Sequence, residues 1–505
     1  MAYTNPVIPG FHPDPSVCHV GEDYYLVTST FEYFPGVPIF HSRDLVHWRP
    51  IGHCLTRRSQ LDLDRCPASH GIYAPTIRHH AGRFYMVTTL VRPQGHTHFF
   101  VWSDDPAGQW SEPIRIAGGG IDPSLMFDDD GSVYFSWTDD GLCQSRLDIQ
   151  TGRHLTEPRL LWRGMGGAAT EGPHLYHLGD RYYLVAAEGG TEYGHYQIIA
   201  RGLSPWGPWE PCPHNPILSH RSKRSPIQCT GHADLIEAHD GSWWMVFLGV
   251  RPVPYPPVYH LGRETFLAPV TWRDGWPIVA DGDLVPEQVE APALPLQPWP
   301  QPPTRDNFDS DRLGLQWNFL RNPDPTCWSL TDRPGHLRLR GNEQTPGDVA
   351  SPAWVGRRQQ HMRCRAATQL AFDPADEHDE AGLCVLMNDR HHYEIAVTRR
   401  DGRRVAIVRR RIGRLQVQTA VHPIAEGPVT LAIEAEPRLY RFDVTDSTGA
   451  PAALDTGETR YLSTEVAGGF TGVYLAMYAT GNGRPATKPA DFDWFDYIPD
   501  PNSGK

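Results

Sequence analysis

Residues 12–29, HPDPSVCHVGEDYYLVTS, set out a plan that the chain repeats. A small or polar residue leads into a short strand, a tight turn follows, and a second strand carries aromatic residues. The plan returns as IYAPTIRHHAGRFYMVTT (72–89), IDPSLMFDDDGSVYFSW (121–137), TEGPHLYHLGDRYYLVAAE (170–188) and GHADLIEAHDGSWWMVFLG (231–249). Ten residues separate Pro15 from Tyr25, Pro75 from Tyr85, Pro173 from Tyr183 and Ala233 from Trp243, and eleven separate Pro123 from Tyr134. A register held while side chains vary marks a structural repeat. Each hairpin runs on into a second one, around SRDLVHWRPI, WSDDPAGQWSEPI, RLDIQTGRHLTEP, ARGLSPWGPWEP and VTWRDGWPIV. Four short strands per unit describe a propeller blade. The repeat therefore predicts a five-bladed β-propeller over residues 1–290, in preference to a sandwich with chance similarity between hairpins.

The stretch 286–303, PEQVEAPALPLQPWPQPP, breaks the pattern. Its proline density predicts a stiff, extended linker, placed at 291–303. Beyond it, HLRLRGN, HHYEIAVTRR, VAIVRRRI and VTLAIEAE alternate with period two. Alternation of that kind predicts a second all-β domain over 304–505, a two-sheet β-sandwich.

Composition narrows the class of protein. The 505 residues are 40% hydrophobic and 21% charged, enough apolar material for real cores. Lys and Arg number 46 against 59 Asp and Glu, a formal charge of -13, which argues against a nucleic-acid partner. No apolar run approaches the length of a membrane span. The start, MAYTNPVIPGFHPDP, lacks the basic and apolar regions of a leader, so a cytoplasmic location is expected. The nine cysteines are scattered and form no CxxC pair, which predicts neither a disulfide framework nor a zinc site.

The repeat also places acids. The residues at the head of each inner strand are Asp14, Ala74, Asp122, Glu171 and His232. Equivalent positions in a closed propeller lie at similar height around one axis, so Asp14, Asp122, Glu171 and His232 are expected at one mouth. Three acids there suit glycosidic-bond hydrolysis. The leaving oxygen needs a proton, the anomeric carbon needs an activated water, and neighbouring carboxyl groups push each other's pKa values apart. Asp14 is read as general base, Glu171 as general acid and Asp122 as the group that orients and tunes the acid. The run Asp128, Asp129 and Asp130 falls in a hairpin turn and is read as solvated surface.

These stretches resemble glycoside hydrolase family 43, in its two-domain β-xylosidase and α-L-arabinofuranosidase branch. The similarity is carried by NPVIPGFHPDPS, YYLVTSTFEYFPGVPIFHSRDLVHW, GIYAPTI, IDPSL, TEGPHLY, AEGG, GHADL, LGRETF and FTGVYLA. It implies a propeller followed by a concanavalin-like jelly roll. It also implies exo-acting cleavage with inversion, and base, tuning acid and proton donor at Asp14, Asp122 and Glu171. Inversion places base and acid about 6.5–9.5 Å apart to admit water. Arg263 matches an arginine that binds sugar hydroxyls near the acid. His232 matches a histidine that orients the site or binds calcium through water. Phe31 and Phe34 match pocket-wall positions, and Tyr73 stands where many relatives carry Trp. Phe470 matches an aromatic that the second domain pushes into the pocket, which would leave room for one terminal sugar.

The resemblance implies a small oligosaccharide substrate, no organic cofactor, and dimers or tetramers. The leading expectation is a β-xylosidase on short xylo-oligosaccharides with α-L-arabinofuranosidase side activity. The alternatives are an α-L-arabinofuranosidase proper, a non-catalytic carbohydrate-binding propeller, and a retaining levan- or sucrose-processing enzyme.

Overall fold

A computed structural model describes residues 2–290 and 296–500. Each repeat segment forms the inner hairpin of an antiparallel sheet of four or five strands. Blade 1 runs Ser16–Val20, Asp23–Val27, Gly36–Ser42 and Arg49–Leu55, and blade 5 runs Gln228–Glu237, Trp243–Val250, Glu264–Arg273 and Trp276–Val279. The repeated aromatic position has a clear packing role, because its rings meet the next blade. Tyr25 meets Phe84 at 4.9 Å, Tyr85 meets Phe127 at 5.1 Å, Tyr134 meets Trp206 at 5.7 Å, and Tyr183 meets Trp272 at 5.2 Å. Such ring pairs contribute about 0.5–1.5 kcal/mol each beyond the area they bury.

The ring closes through the N-terminal segment. Ala2–Thr4 pairs with Gln288–Glu290. The Asn5 side chain donates to the Leu267 carbonyl and accepts from its N–H, both at 3.0 Å. Ile8 and Thr265 exchange backbone hydrogen bonds at 3.2 Å, and the His12 N–H donates to the Arg263 carbonyl at 3.0 Å. This path delivers Asp14 directly to Arg263.

Two to four residues along the inner strands lies a buried polar layer. Arg78 donates to both Asp234 oxygens at 2.8 and 3.2 Å. Ser16 and Tyr176 also donate to that carboxylate, at 2.7 and 2.5 Å. His174 Nδ1 lies 3.1 Å from Arg78 and 3.0 Å from the Ser124 hydroxyl. One residue or more from every blade thus meets at the axis. Burial alone would raise the Asp234 carboxyl, but Arg78 and His174 hold it well below the usual range. Removing one partner of such a pair leaves an uncompensated buried charge. Asp234→Ala is therefore expected to cost about 3–5 kcal/mol, measured by denaturant unfolding.

The second domain packs an eight-stranded sheet on a six-stranded one. Leu383, Val385 and Ile395 face Leu431, Phe442 and Phe492 in the shared core. The outer face of the six-stranded sheet is covered by the propeller over part of its width, while its edge strand Leu415–Pro423 is exposed. Cys384, Leu386, Tyr474 and Tyr478 join Phe11, Phe31 and Tyr33 of the propeller in one buried cluster. Phe319–Leu320 pairs with Tyr33–Phe34 across the domains, and Tyr33 stacks on Tyr474 at 4.0 Å. Phe34 is spent in this joint and does not line the pocket, contrary to the expectation for it.

The first part of the expected linker, 291–295, lies outside the described residues, as do Met1 and 501–505 at the ends of the expected domains. Residues 296–303 have no regular structure. Trp299 ties them to blade 1, donating to the His47 carbonyl at 3.0 Å beneath the Arg49 guanidinium. The cysteines are all free thiols. Among the described residues no helix is long and apolar enough to cross a membrane.

Asp128 departs from its reading as solvated surface. It is buried, pairs with His177 at 2.7 Å and accepts from Tyr182 at 2.8 Å, which latches blade 3 to blade 4. Asp129 and Asp130 are exposed.

Candidate active site

Backbone geometry aims the acids. Asp14, Asp122 and His232 take φ of +54°, +55° and +49°, in the left-handed region, and Gly172 takes +63°. Strand register also shifts at Ile121/Ser124, Glu171/His174 and Gly231/Asp234. Bulges of this kind turn a side chain out of the pleat, and positive φ at residues other than glycine stores strain that concentrates at functional sites. The four positions also correct the repeat alignment. Gly172, not Glu171, is the structural equivalent of Asp14, as the ten-residue spacing from Pro173 to Tyr183 implies. Glu171 enters from one residue earlier. Glycine fits closely beside it: a Cβ on Gly172 would stand 3.1 Å from the His232 ring, a tight contact.

Asp14 is held on several sides. Ser29 donates to Oδ2 at 2.5 Å, Arg263 donates to Oδ1 at 2.8 Å, and His232 Nδ1 lies 3.9 Å from Oδ1. Arg263 therefore sits against the expected base, where the resemblance had placed it near the acid. Its fork also reaches the Thr191 hydroxyl at 3.0 Å and the Phe470 carbonyl at 3.3 Å. Asp122 accepts the Gly172 N–H at 3.1 Å. Burial pushes its carboxyl up to about 7, with Glu171 and Asp14 adding and His232 opposing. Burial likewise pushes Glu171 up to about 7, the Asp14 charge adds to it, and Arg263 opposes. A glutamic acid protonated up to neutrality can donate a proton, and an ion-paired aspartate can take one.

Of the nine pocket residues expected from the sequence, all but Phe34 line one pocket of about 70 Å³, together with Ala74, Ile121 and Thr191. Phe31, Tyr73 and Phe470 form its aromatic wall. Phe31 lies 5.0 Å from Tyr73 and 5.9 Å from Phe470, and Tyr73 lies 6.0 Å from Phe470. The Tyr73 hydroxyl donates to the Ser69 carbonyl at 3.0 Å, while the Ser69 hydroxyl accepts the Phe470 N–H at 2.9 Å. Phe470 comes from the second domain on a closely docked loop. A Cβ on Gly472 would stand 2.2 Å from the Leu261 carbonyl oxygen, so only glycine lets the two backbones approach. Glu171 and Ile121 also border an open groove of about 470 Å³, lined further by His96, Asp139, Asp140, Arg163 and Thr170.

Calcium takes about six to eight oxygen ligands, whereas His232 offers nitrogen and the adjacent Asp14 oxygens are engaged by Ser29 and Arg263, so His232 would meet a calcium ion only through water, as the resemblance implies. Among the described residues, the one cluster of three side chains able to hold a metal is Asp128, Asp129 and His177, which does not include His232.

Sequence reasoning did not single out Thr191 or His195. Both follow the AEGG stretch in a loop outside the repeat register, so no blade-to-blade comparison points to them.

The Glycosyl hydrolases family 43 model matches residues 3–277, and the Beta xylosidase C-terminal Concanavalin A-like domain model matches 305–498. The chain belongs to glycoside hydrolase family 43. It is 47% identical to a non-reducing end α-L-arabinofuranosidase of Bacteroides ovatus, over 98% of this chain and 94% of that one. It is 36% identical to a xylosidase/arabinosidase of Butyrivibrio fibrisolvens, over 97% of this chain and 98% of that one. The solved structure of a xylan β-1,4-xylosidase from Bacillus halodurans superposes with a TM-score of 0.94 at 35% identity, covering 98% of this chain and 100% of that one. The family 43 fold thus joins a propeller to a concanavalin A-like sandwich, as the repeat and the strand alternation predicted.

Proposed function

We propose that this family 43 glycosidase removes one terminal pentose from an oligosaccharide, with inversion, in a single displacement. The observation that carries the reading is the small pocket that gathers Asp14, Asp122 and Glu171 under an aromatic wall. Asp14 takes a proton from water, which attacks the anomeric carbon. Glu171 gives its proton to the departing oxygen, and Asp122 sits beside the donor's backbone at Gly172. Phe470 caps the pocket, so one sugar ring fits beyond the scissile bond. The leaving chain passes Glu171 into the larger groove, whose polar lining suits hydroxyl groups.

The preferred terminal sugar in this reading is α-L-arabinofuranose. One observation favours it: the 47% identity to an arabinofuranosidase. β-D-Xylose is the second reading, favoured by the 36% identity to a xylosidase/arabinosidase and by the similarity to a solved xylosidase. Comparing kcat/KM on the two 4-nitrophenyl pentosides tests the order, with about tenfold or more in favour of the arabinoside expected. A tenfold difference corresponds to about 1.4 kcal/mol of transition-state binding. A preference for the xyloside restores the second reading. Proton NMR of the first-formed sugar tests the mechanism: an inverted anomer is expected, and a retained one rejects the single displacement.

A further inference from the structure

His195 borders the site and has no part in the reaction as described. Its ring is completely buried, with Nδ1 3.0 Å from the Cys229 carbonyl oxygen and no hydrogen-bond partner for Nε2. A buried nitrogen without a partner is uncommon and calls for a reason.

The tautomer follows from the partner. A carbonyl only accepts, so Nδ1 carries the proton. Burial pushes the imidazole down to about 3, so the ring is neutral and Nε2 holds a bare lone pair. That nitrogen lies 4.0 Å from Glu171 Oε1. Two costly features hold the ring there. Cys229 takes φ +57°, which turns its carbonyl to Nδ1. Gly231 leaves space that a Cβ would fill, standing 2.5 Å from the imidazole.

We propose that His195 is a positioning residue for the proton donor: its fixed Nδ1–H tautomer turns an acceptor lone pair to the Glu171 carboxyl and so keeps it in the acid form. A lone pair repels a carboxylate and attracts the O–H of a carboxylic acid, so the protonated state is favoured. His195 itself neither gains nor loses a proton. The donated proton goes from Glu171 to the departing oxygen and is restored from water. The other charged groups acting on Glu171 are Asp14, which also favours its protonation, and Arg263, which opposes it. His232 packs on the neighbouring Gly172. The proposal rests on the assignment of Glu171 as acid.

His195→Asn tests it. The Asn amide can still donate to Cys229 from the place of Nδ1, while the lone pair facing Glu171 is gone. The alkaline limb of kcat/KM on a disaccharide, which needs the acid, is expected to move down by about one pH unit. Turnover of a 2,4-dinitrophenyl pentoside, whose leaving group needs no proton, is expected to stay within about twofold. Parallel losses on both substrates with the limb unmoved would show a merely structural role and overturn the proposal. Nitrogen-15 NMR of the unaltered protein provides a check that does not depend on the variant folding. An Nδ1–H tautomer for His195 is expected, and an Nε2–H tautomer overturns the proposal. Glu171→Gln keeps the two readings apart. If it loses the disaccharide and keeps the activated glycoside while His195→Asn leaves the limb in place, only the His195 proposal falls. If Glu171→Gln fails to separate the two substrates, the acid assignment falls with it.

Discussion

Asp14→Asn is expected to lower kcat by about 10³–10⁴-fold on every substrate, activated aryl glycosides included. The water that attacks the anomeric carbon must lose a proton as the bond forms, and an amide cannot accept one. A better leaving group does not relieve this, because the missing step is on the nucleophile's side. The substitution is nearly isosteric: with the amide oxygen in the place of Oδ1 it still accepts from Arg263, and the amide NH2 in the place of Oδ2 can donate to the Ser29 hydroxyl. Product binding is therefore expected to change by no more than about threefold by calorimetry, with the same circular dichroism spectrum. A loss confined to poor leaving groups would give Asp14 the role of acid and undo the assignment.

Glu171→Gln is expected to lower kcat/KM by about 10²–10⁴-fold on disaccharides and much less on a 2,4-dinitrophenyl pentoside. The difference between substrates is the signature of a missing acid. The pH profile gives a second readout. Burial and the Asp14 charge raise the Glu171 carboxyl to about 7, so the acid is present below that pH and is lost as pH rises through it. The wild-type protein is expected to show an alkaline limb near neutrality on disaccharides, and the variant none. Stability follows the same sign. A carboxyl that titrates higher in the folded state than its ordinary value of 4.5 favours folding at low pH, and that contribution is lost as pH climbs from there through about 7. The variant is therefore expected to melt higher than wild type at pH 8, by about 1–3 °C, and to match it at pH 5. Equal losses on both substrates would place Glu171 outside proton donation.

The propeller was legible because hairpins repeated with a ten-residue spacing carry their own local signal. Turn chemistry and period-two alternation act over a few residues and are visible in any one blade. Asp14, Asp122 and His232 were legible for the same reason, as three copies of one backbone position. Glu171 was found by the same comparison but stands one residue off that register, which the bulge at Glu171/His174 makes productive. Asp128 was misread because its partners, His177 and Tyr182, come from the next blade. Phe34 was misread because its strand partner, Phe319, lies in the other domain.

The blade repeat, the two-domain order and the set of acids could be read from the chain alone, since each rests on local pattern or on comparison of one unit with another. Only the tertiary structure decided how those acids are partnered: Arg263 on Asp14 through the closing N-terminal segment, and His195 beside Glu171 in a strained backbone setting. It also decided that Phe470 reaches the pocket, through the contact of Gly472 with Leu261. Carboxyl chemistry depends on burial and on charges a few ångströms away, and those distances are set by parts of the chain far apart in sequence, as Asp14 and Arg263 are at 249 residues. No local pattern records them.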